Sequence, residues 1–133
     1  MVYAIGTNKN GCLGIGNTYA MFNPIKVEEL CEKNIKSFSF GDYHFLALTK
    51  QGKVYSWGQN DYGQLGNGCY EQSLIPIIVT KPVCNEHITD MACGSYHSLA
   101  LTNEGKVKRK LHIKISVFGN SFISHSLSCT QHN

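Results

Sequence analysis

Gly52-Lys53-Val54-Tyr55-Ser56-Trp57-Gly58-Gln59-Asn60-Asp61-Tyr62-Gly63-Gln64-Leu65-Gly66-Asn67-Gly68 is the stretch on which the fold turns. A short β-branched and aromatic segment lies between a glycine and a glycine-dense loop, the pattern of a strand between two turns. The same order stands near the N-terminus. Val2-Tyr3-Ala4-Ile5-Gly6 matches Val54-Tyr55-Ser56-Trp57-Gly58, and the match continues through Asn8/Asn60, Gly11/Gly63, Leu13/Leu65, Gly14/Gly66, Gly16/Gly68 and Pro24/Pro76, always 52 residues apart. With an offset of 53, Ile35 matches Ile88, Phe38 Met91, Gly41 Gly94, Tyr43 Tyr96, and His44 His97. Leu46-Ala47-Leu48-Thr49 then matches Leu99-Ala100-Leu101-Thr102, and Gly52-Lys53-Val54 matches Gly105-Lys106-Val107. So many matches in one order mark an internal repeat.

Within the unit, 35–40, 44–49, 53–57 and 75–79 read as strands bounded mostly by glycine. Gly41 and Gly52 fall at strand ends, where a positive φ is expected to favour glycine. Leu46 and Leu48 alternate with Phe45 and Ala47, and Tyr55 and Trp57 share a face. About four strands per unit of about 50 residues describes one blade of a β-propeller. The expected fold is all-β, a partial β-propeller of four-stranded antiparallel blades with an irregular C-terminal tail. Residues 1–33 would hold a partial blade, 34–81 a full one and 82–107 another partial one, with 108–133 a non-repeat basic tail.

Over 2–107 these motifs resemble the regulator-of-chromosome-condensation repeat. The residues that carry the likeness are Gly41-Asp42-Tyr43-His44-Phe45-Leu46-Ala47-Leu48, the stretch quoted above, and Cys93-Gly94-Ser95-Tyr96-His97-Ser98-Leu99-Ala100-Leu101. Gly6-Thr7-Asn8 with Gly11-Cys12-Leu13-Gly14, and Ala92 to Leu99, are more similar to members that carry a BTB domain after the propeller. The resemblance implies a seven-bladed ring. Such a ring needs about 350 residues, so this chain would supply about two blades. Repeat units stabilise one another, and about three are usually the minimum. The isolated chain is therefore expected to be marginally folded, below about 5 kcal/mol in urea unfolding.

Composition narrows the function. The formal charge of +3 is too small to imply nucleic acid or an anionic membrane. It is also uneven: residues 1–107 carry 8 Lys and all 9 acids, whereas the tail carries Lys108, Arg109, Lys110 and Lys114 with no acid. The repeat portion is thus slightly acidic, and nucleic acid is not an expected partner. No apolar run is long enough to span a bilayer, and the N-terminal residues lack a secretory pattern. The expected localisation is cytoplasmic or nuclear, with no membrane partner. Cysteines 12, 31, 69, 84, 93 and 129 form no CxxC pair, so zinc is not expected and reduced thiols are. Cys93 occupies the position of Phe40 and reads as a small buried apolar group.

The repeat pattern stops after Val107. The cluster at 106–110 could serve nuclear import but reads more simply as solvated charge. Leu111, Ile113, Ile115 and Val117 alternate with polar residues and could form a strand in the slot of Val54–Trp57, with residues 121–133 loose beyond it. The abrupt break is expected to mark an alternative exon or intron read-through.

No catalytic constellation is expected and no cofactor. His44 and His97 recur at one repeat position, which suits a structural hydrogen bond in the turn. Asp42 beside His44 is replaced by Ser95 in the second copy, and Ser98 lacks a matching acid. The 63–68 loop lacks the Lys-Ser/Thr of a phosphate-binding loop. Gly41, His44, Gly52, Trp57, Gly58, Gly63, Gly66, Gly94, His97 and Gly105 are read as structural repeat positions. The loops 18–23 and 69–73 occupy equivalent positions yet differ in sequence, so Tyr19, Met21, Phe22, Tyr70, Glu71 and Gln72 are the candidate partner contacts. The expected function is a non-enzymatic protein-interaction module. The resemblance implies a link to ubiquitin-ligase substrate recruitment or, alternatively, nucleotide exchange on a Ran-like small GTPase. A truncated product without independent function is a third alternative.

Overall fold

The strand order read from the repeat emerges as three antiparallel sheets in the computed structural model, which describes residues 1–79, 87–107, 110–119 and 126–132. The N-terminal pair is β1 (Tyr3–Gly6) with β2 (Met21–Lys26). One complete blade follows: β3 (Ile35–Phe40), β4 (His44–Thr49), β5 (Val54–Gly58) and β6 (Ser73–Ile78), hydrogen-bonded in chain order. The second four-stranded sheet runs β7 (Ile88–Cys93), β8 (His97–Val107), β9 (Lys110–Gly119) and β10 (Ser126–His132), again in chain order. The protein is all-β, a propeller fragment of about two blades. No helix among the described residues is long and apolar enough to cross a membrane.

Both faces of the complete blade are covered, which is why β4 is an almost continuous apolar run. Leu46, Leu48 and Val54 join Val79, Ile88 and Ala100 in a buried cluster, with Met91 and Cys93 of β7 packed against it. Ala47 and Trp57 join Val27 and Leu30 in a second cluster towards the N-terminal pair, packed by Val2, Ala4, Phe45 and Tyr55. Period-two alternation along β4 thus sends successive side chains into two different cores. Fully burying a leucine or valine such as Leu46, Leu48 or Val54 contributes about 1.5–3 kcal/mol.

Two glycine roles separate. Gly52 sits at φ +81° and Gly58 at +106°, where only glycine is comfortable. Gly41 does not have the positive φ expected of it. It is glycine because an added Cβ would strike the Gly94 carbonyl and the His44 ring. Gly94 is held in the same way against the His97 ring.

Three sequence expectations are corrected. The C-terminal tail is not irregular: residues 110–119 and 126–132 are strands that complete the second sheet. Leu111, Ile113, Ile115 and Val117 do form the strand beside β8. Ser126–His132 pairs with it because a polar segment can occupy a sheet edge, where one side of the backbone needs no partner. Second, Gly105 is not at a hairpin turn like Gly52 but lies inside β8, which runs on to Val107. The segment after Val107 lacks the Tyr-x-Trp-Gly strand, and β8 instead pairs with a later one. Gly119 stands opposite His97 as Gly58 stands opposite His44, and Phe118 opposite Ser98 as Trp57 opposite Phe45. Third, Met21 and Phe22 begin β2 rather than sitting in a loop, with Met21 opposite Gly6 across a bulge.

Candidate functional site

At the junction of the two blades the β3–β4 turn meets β8. Gly41 N–H donates to the His44 carbonyl at 2.9 Å, and Gly94 N–H donates to the His97 carbonyl at the same distance. These tight turns carry each imidazole over its own glycine. The expected side-chain bond from His44 to its own turn is not seen: backbone bonds close the turn, and the imidazole reaches across the junction instead. Its Nε2 lies 2.9 Å from Ser98 Oγ, across the junction, and Ser98 Oγ donates to the Gln64 carbonyl at 2.8 Å. Since Ser98 gives its proton to Gln64, His44 carries its own on Nε2 and leaves Nδ1 bare. That Nδ1 is buried without a partner among the described residues. Burial pushes the imidazole down to about 4, partly offset by the His97 backbone, so it is neutral near pH 7.

A serine within hydrogen-bond distance of a histidine invites comparison with a nucleophile–base pair. The geometry excludes that role. Ser98 is fully buried, its proton is committed to a carbonyl, and no carboxylate among the described residues bonds His44 Nδ1. Burial likewise raises the Cys93 and Cys12 thiols, which disfavours thiolate chemistry. Cys12, Cys31, Cys69 and Cys93 are free, and no metal-ligand cluster occurs among the described residues. Cys84 lies outside the described residues.

Two asparagines that sequence reasoning aligned but did not single out build the loops. Leu13 N–H donates to Asn8 Oδ1 and Leu65 N–H to Asn60 Oδ1, both at 2.9 Å. Asn8 Nδ2 donates to the Asn17 carbonyl and Asn60 Nδ2 to the Cys69 carbonyl, which are equivalent repeat positions. Asn60 adds the Glu71 carbonyl at 2.8 Å. Their recurrence at a fixed offset was the available signal. Gly63 and Gly66, both at positive φ, carry the chain around Asn60, and Trp57 Nε1 donates to the Cys12 carbonyl at 2.9 Å. Each junction also seats a turn tyrosine: Lys9 lies over the Tyr43 ring, and Tyr62 packs against Tyr96 at 4.7 Å between centroids.

These anchored loops present the candidate contacts. Tyr19 is 72% exposed, Phe22 90% and Tyr70 70%. Glu71 and Gln72 are exposed, while Met21 is half-buried. The rigid base and apolar tips suit protein contact rather than chemistry.

A family model described as Regulator of chromosome condensation (RCC1) repeat matches residues 1–48 and 51–101, and a second of the same description matches 35–64. The chain belongs to the regulator of chromosome condensation repeat family. This RCC1-repeat chain is 39% identical over 104 residues to the ultraviolet-B receptor UVR8 of Arabidopsis thaliana, covering 78% of the chain and 23% of the receptor. It is 39% identical over 100 residues to the E3 ubiquitin-protein ligase HERC2 of Homo sapiens, covering 75% of the chain and 2% of the ligase. The crystal structure of Prp20p from Saccharomyces cerevisiae, described with its binding properties to Gsp1p and histones, superposes with a TM-score of 0.63 at 25% identity. That likeness covers 86% of this chain and 28% of Prp20p. The RCC1-repeat chain therefore spans a small part of each relative. The family match ends at residue 101, inside β8, so β9 and β10 lie beyond it.

Proposed function

We propose that the chain is a non-enzymatic protein-interaction segment of an RCC1-repeat propeller, presenting Tyr19, Phe22 and Tyr70 to a protein partner. The observation that carries this reading is the pairing of loop bases anchored at equivalent repeat positions with exposed aromatics beside them, Tyr19 and Tyr70 in the loops and Phe22 at the start of β2. The likeness to a ubiquitin-protein ligase supports substrate recruitment to a ubiquitin ligase. A cytoplasmic or nuclear site of action fits that role. A photo-crosslinking amino acid placed at Phe22 or Tyr70 in the full-length protein tests it in cells. Discrete protein adducts, lost when the remaining two aromatics are changed to Ala, are expected. Adducts unchanged by those substitutions would refute it.

The likeness to Prp20p supports a second reading, guanine-nucleotide exchange on a small GTPase of the Gsp1p kind. Release of labelled nucleotide from such a GTPase, accelerated by the full-length protein and lost with the loop substitutions, would favour exchange over recruitment.

A further inference from the structure

We propose that Asn67 is a self-modification site: its side-chain amide is lost to attack by the Gly68 backbone nitrogen and replaced by a carboxyl, so that the loop carrying Tyr70 ages while its repeat counterpart does not.

The chain contains two Asn-Gly dipeptides, Asn10-Gly11 and Asn67-Gly68. Each offers the same nucleophile, a glycine amide nitrogen that no Cβ shields, so as sequence the two are equally reactive. The fold separates them. Gly11 is buried, and its N–H donates to the Asn8 carbonyl at 3.2 Å beside the short Lys9–Gly11 turn. Gly68 is exposed, its N–H has no acceptor among the described residues, and the position a Cβ would take is open. The Gly68 nitrogen is therefore free to attack, and the Gly11 nitrogen must first give up a bond.

The carbonyl under attack is also prepared at Asn67. Its Oδ1 accepts from Asn60 Nδ2 at 3.0 Å and from the Cys69 N–H and Sγ–H, both at 3.2 Å. Donors aimed at a carbonyl oxygen stabilise the negative charge it gains when its carbon is attacked. Asn17 shows that the carbonyl alone is not enough. Its Oδ1 accepts from Asn8 Nδ2 at 3.2 Å and from the Tyr19 N–H at 2.9 Å, an arrangement much like that at Asn67. The next residue, however, is Thr18, whose branched Cβ crowds the amide nitrogen. Polarised carbonyl and unshielded nitrogen coincide at Asn67.

The step balances with water alone. Hydroxide takes the Gly68 amide proton, the nitrogen attacks Asn67 Cγ, and a C–N bond forms as an electron pair moves onto Oδ1. That pair returns as the Cγ–Nδ2 bond breaks, and Nδ2 leaves as ammonia with a proton from water. Water then opens the cyclic imide at either carbonyl. One opening gives aspartate, which keeps the acceptor for Asn60 and Cys69. The other gives isoaspartate, which routes the backbone through the former side chain and removes that anchor from the base of the 69–72 loop. The consequence for a partner rests on the functional reading above, whereas the chemistry does not.

Mass spectrometry of digests tests this, after the full chain is incubated in mildly alkaline buffer made with heavy-oxygen water. In the folded chain Asn67 should convert at least about fivefold faster than Asn10, the factor set by the one hydrogen bond that Gly11 must break. In urea the two rates should converge. Thr18→Gly should make Asn17 convert ahead of Asn10 in the folded chain, as Asn67 does. Equal rates at Asn10 and Asn67 in the folded chain would overturn the proposal. So would a ratio that urea leaves unchanged, and so would an Asn17 that stays intact in Thr18→Gly. The readout needs no partner, so a failure of crosslinking at Tyr70 would refute the interaction reading and leave this result standing.

Discussion

Acidification should loosen the junction between the two blades, and His44 sets both the direction and the size of the effect. The imidazole is buried against Gly41, bonded through Nε2 to Ser98, and neutral, with its pKa lowered from 6.5 to about 4. His97 and Asp42 are the charged or titratable groups that act on it. As pH falls through 6.5 the unfolded chain takes up a proton that the folded chain refuses until about 4. Stability is therefore fully present above 6.5, declines through that window, and levels off below it. At about 1.36 kcal/mol per unit, the loss is at most about 3 kcal/mol. A chain with less than about 5 kcal/mol in hand would then be close to unfolding. His44→Gln supplies the control, because its amide can donate to Ser98 and does not titrate. Urea unfolding followed by Trp57 fluorescence, from about pH 7 downwards, should show a midpoint that falls steeply for the native chain. The variant should lack that share of the fall. Equal pH dependence in both chains would refute the assignment of the acid loss to His44.

The repeat geometry makes further outcomes measurable. Ser98→Ala strands the His44 Nε2–H and the Gln64 carbonyl, so it should cost about 1–3 kcal/mol in urea unfolding; a neutral result would count against the hydrogen-bond chain. Asn60→Ala removes the donors that reach Cys69 and Glu71 and the acceptor for Leu65. Limited proteolysis should move to the 69–72 loop, and an unchanged cleavage pattern would contradict the anchoring role. Gly58→Ala places a Cβ against the Tyr43 carbonyl at a φ of +106°, and should cost about 2 kcal/mol or more. Changing Tyr19, Phe22 and Tyr70 to Ala should leave stability within about 0.5 kcal/mol per site, since exposed side chains contribute little to folding.

Much of the fold was legible because structure and sequence repeat together. The matches at Gly58, Gly66 and Leu46 to Leu48 located the strands of the complete blade, and the alternation of Leu46 and Leu48 with Phe45 and Ala47 is the one that divides β4 between two cores. What repetition could not show is where a position is used once. Ser98 was weighed only as a nucleophile lacking an acid, and because it aligns with Phe45 the repeat gave no sign that it is the partner of His44. The structural use of Gly41 was equally hidden: a glycine reads the same in sequence whether it is needed for φ or for close approach. The tail was misread for another reason. Val117-Phe118-Gly119 does echo Ser56-Trp57-Gly58, but Gly119 follows Gly58 by 61 residues while His97 follows His44 by 53. The extra residues in the hairpin put that echo out of register with the rest. Of the candidate contacts, Tyr19 and Tyr70 were readable as loop variation, whereas the bulge that draws Met21 and Phe22 into β2 depends on pairing with β1.

The account rests on the two blades being docked through His44 and Ser98 rather than folding side by side. A double-mutant cycle with His44→Ala and Ser98→Ala, measured by urea unfolding near pH 7, tests that contact directly. A coupling energy of about 0.5–3 kcal/mol is predicted for residues sharing one hydrogen-bond network. Strict additivity of the two substitutions would contradict it.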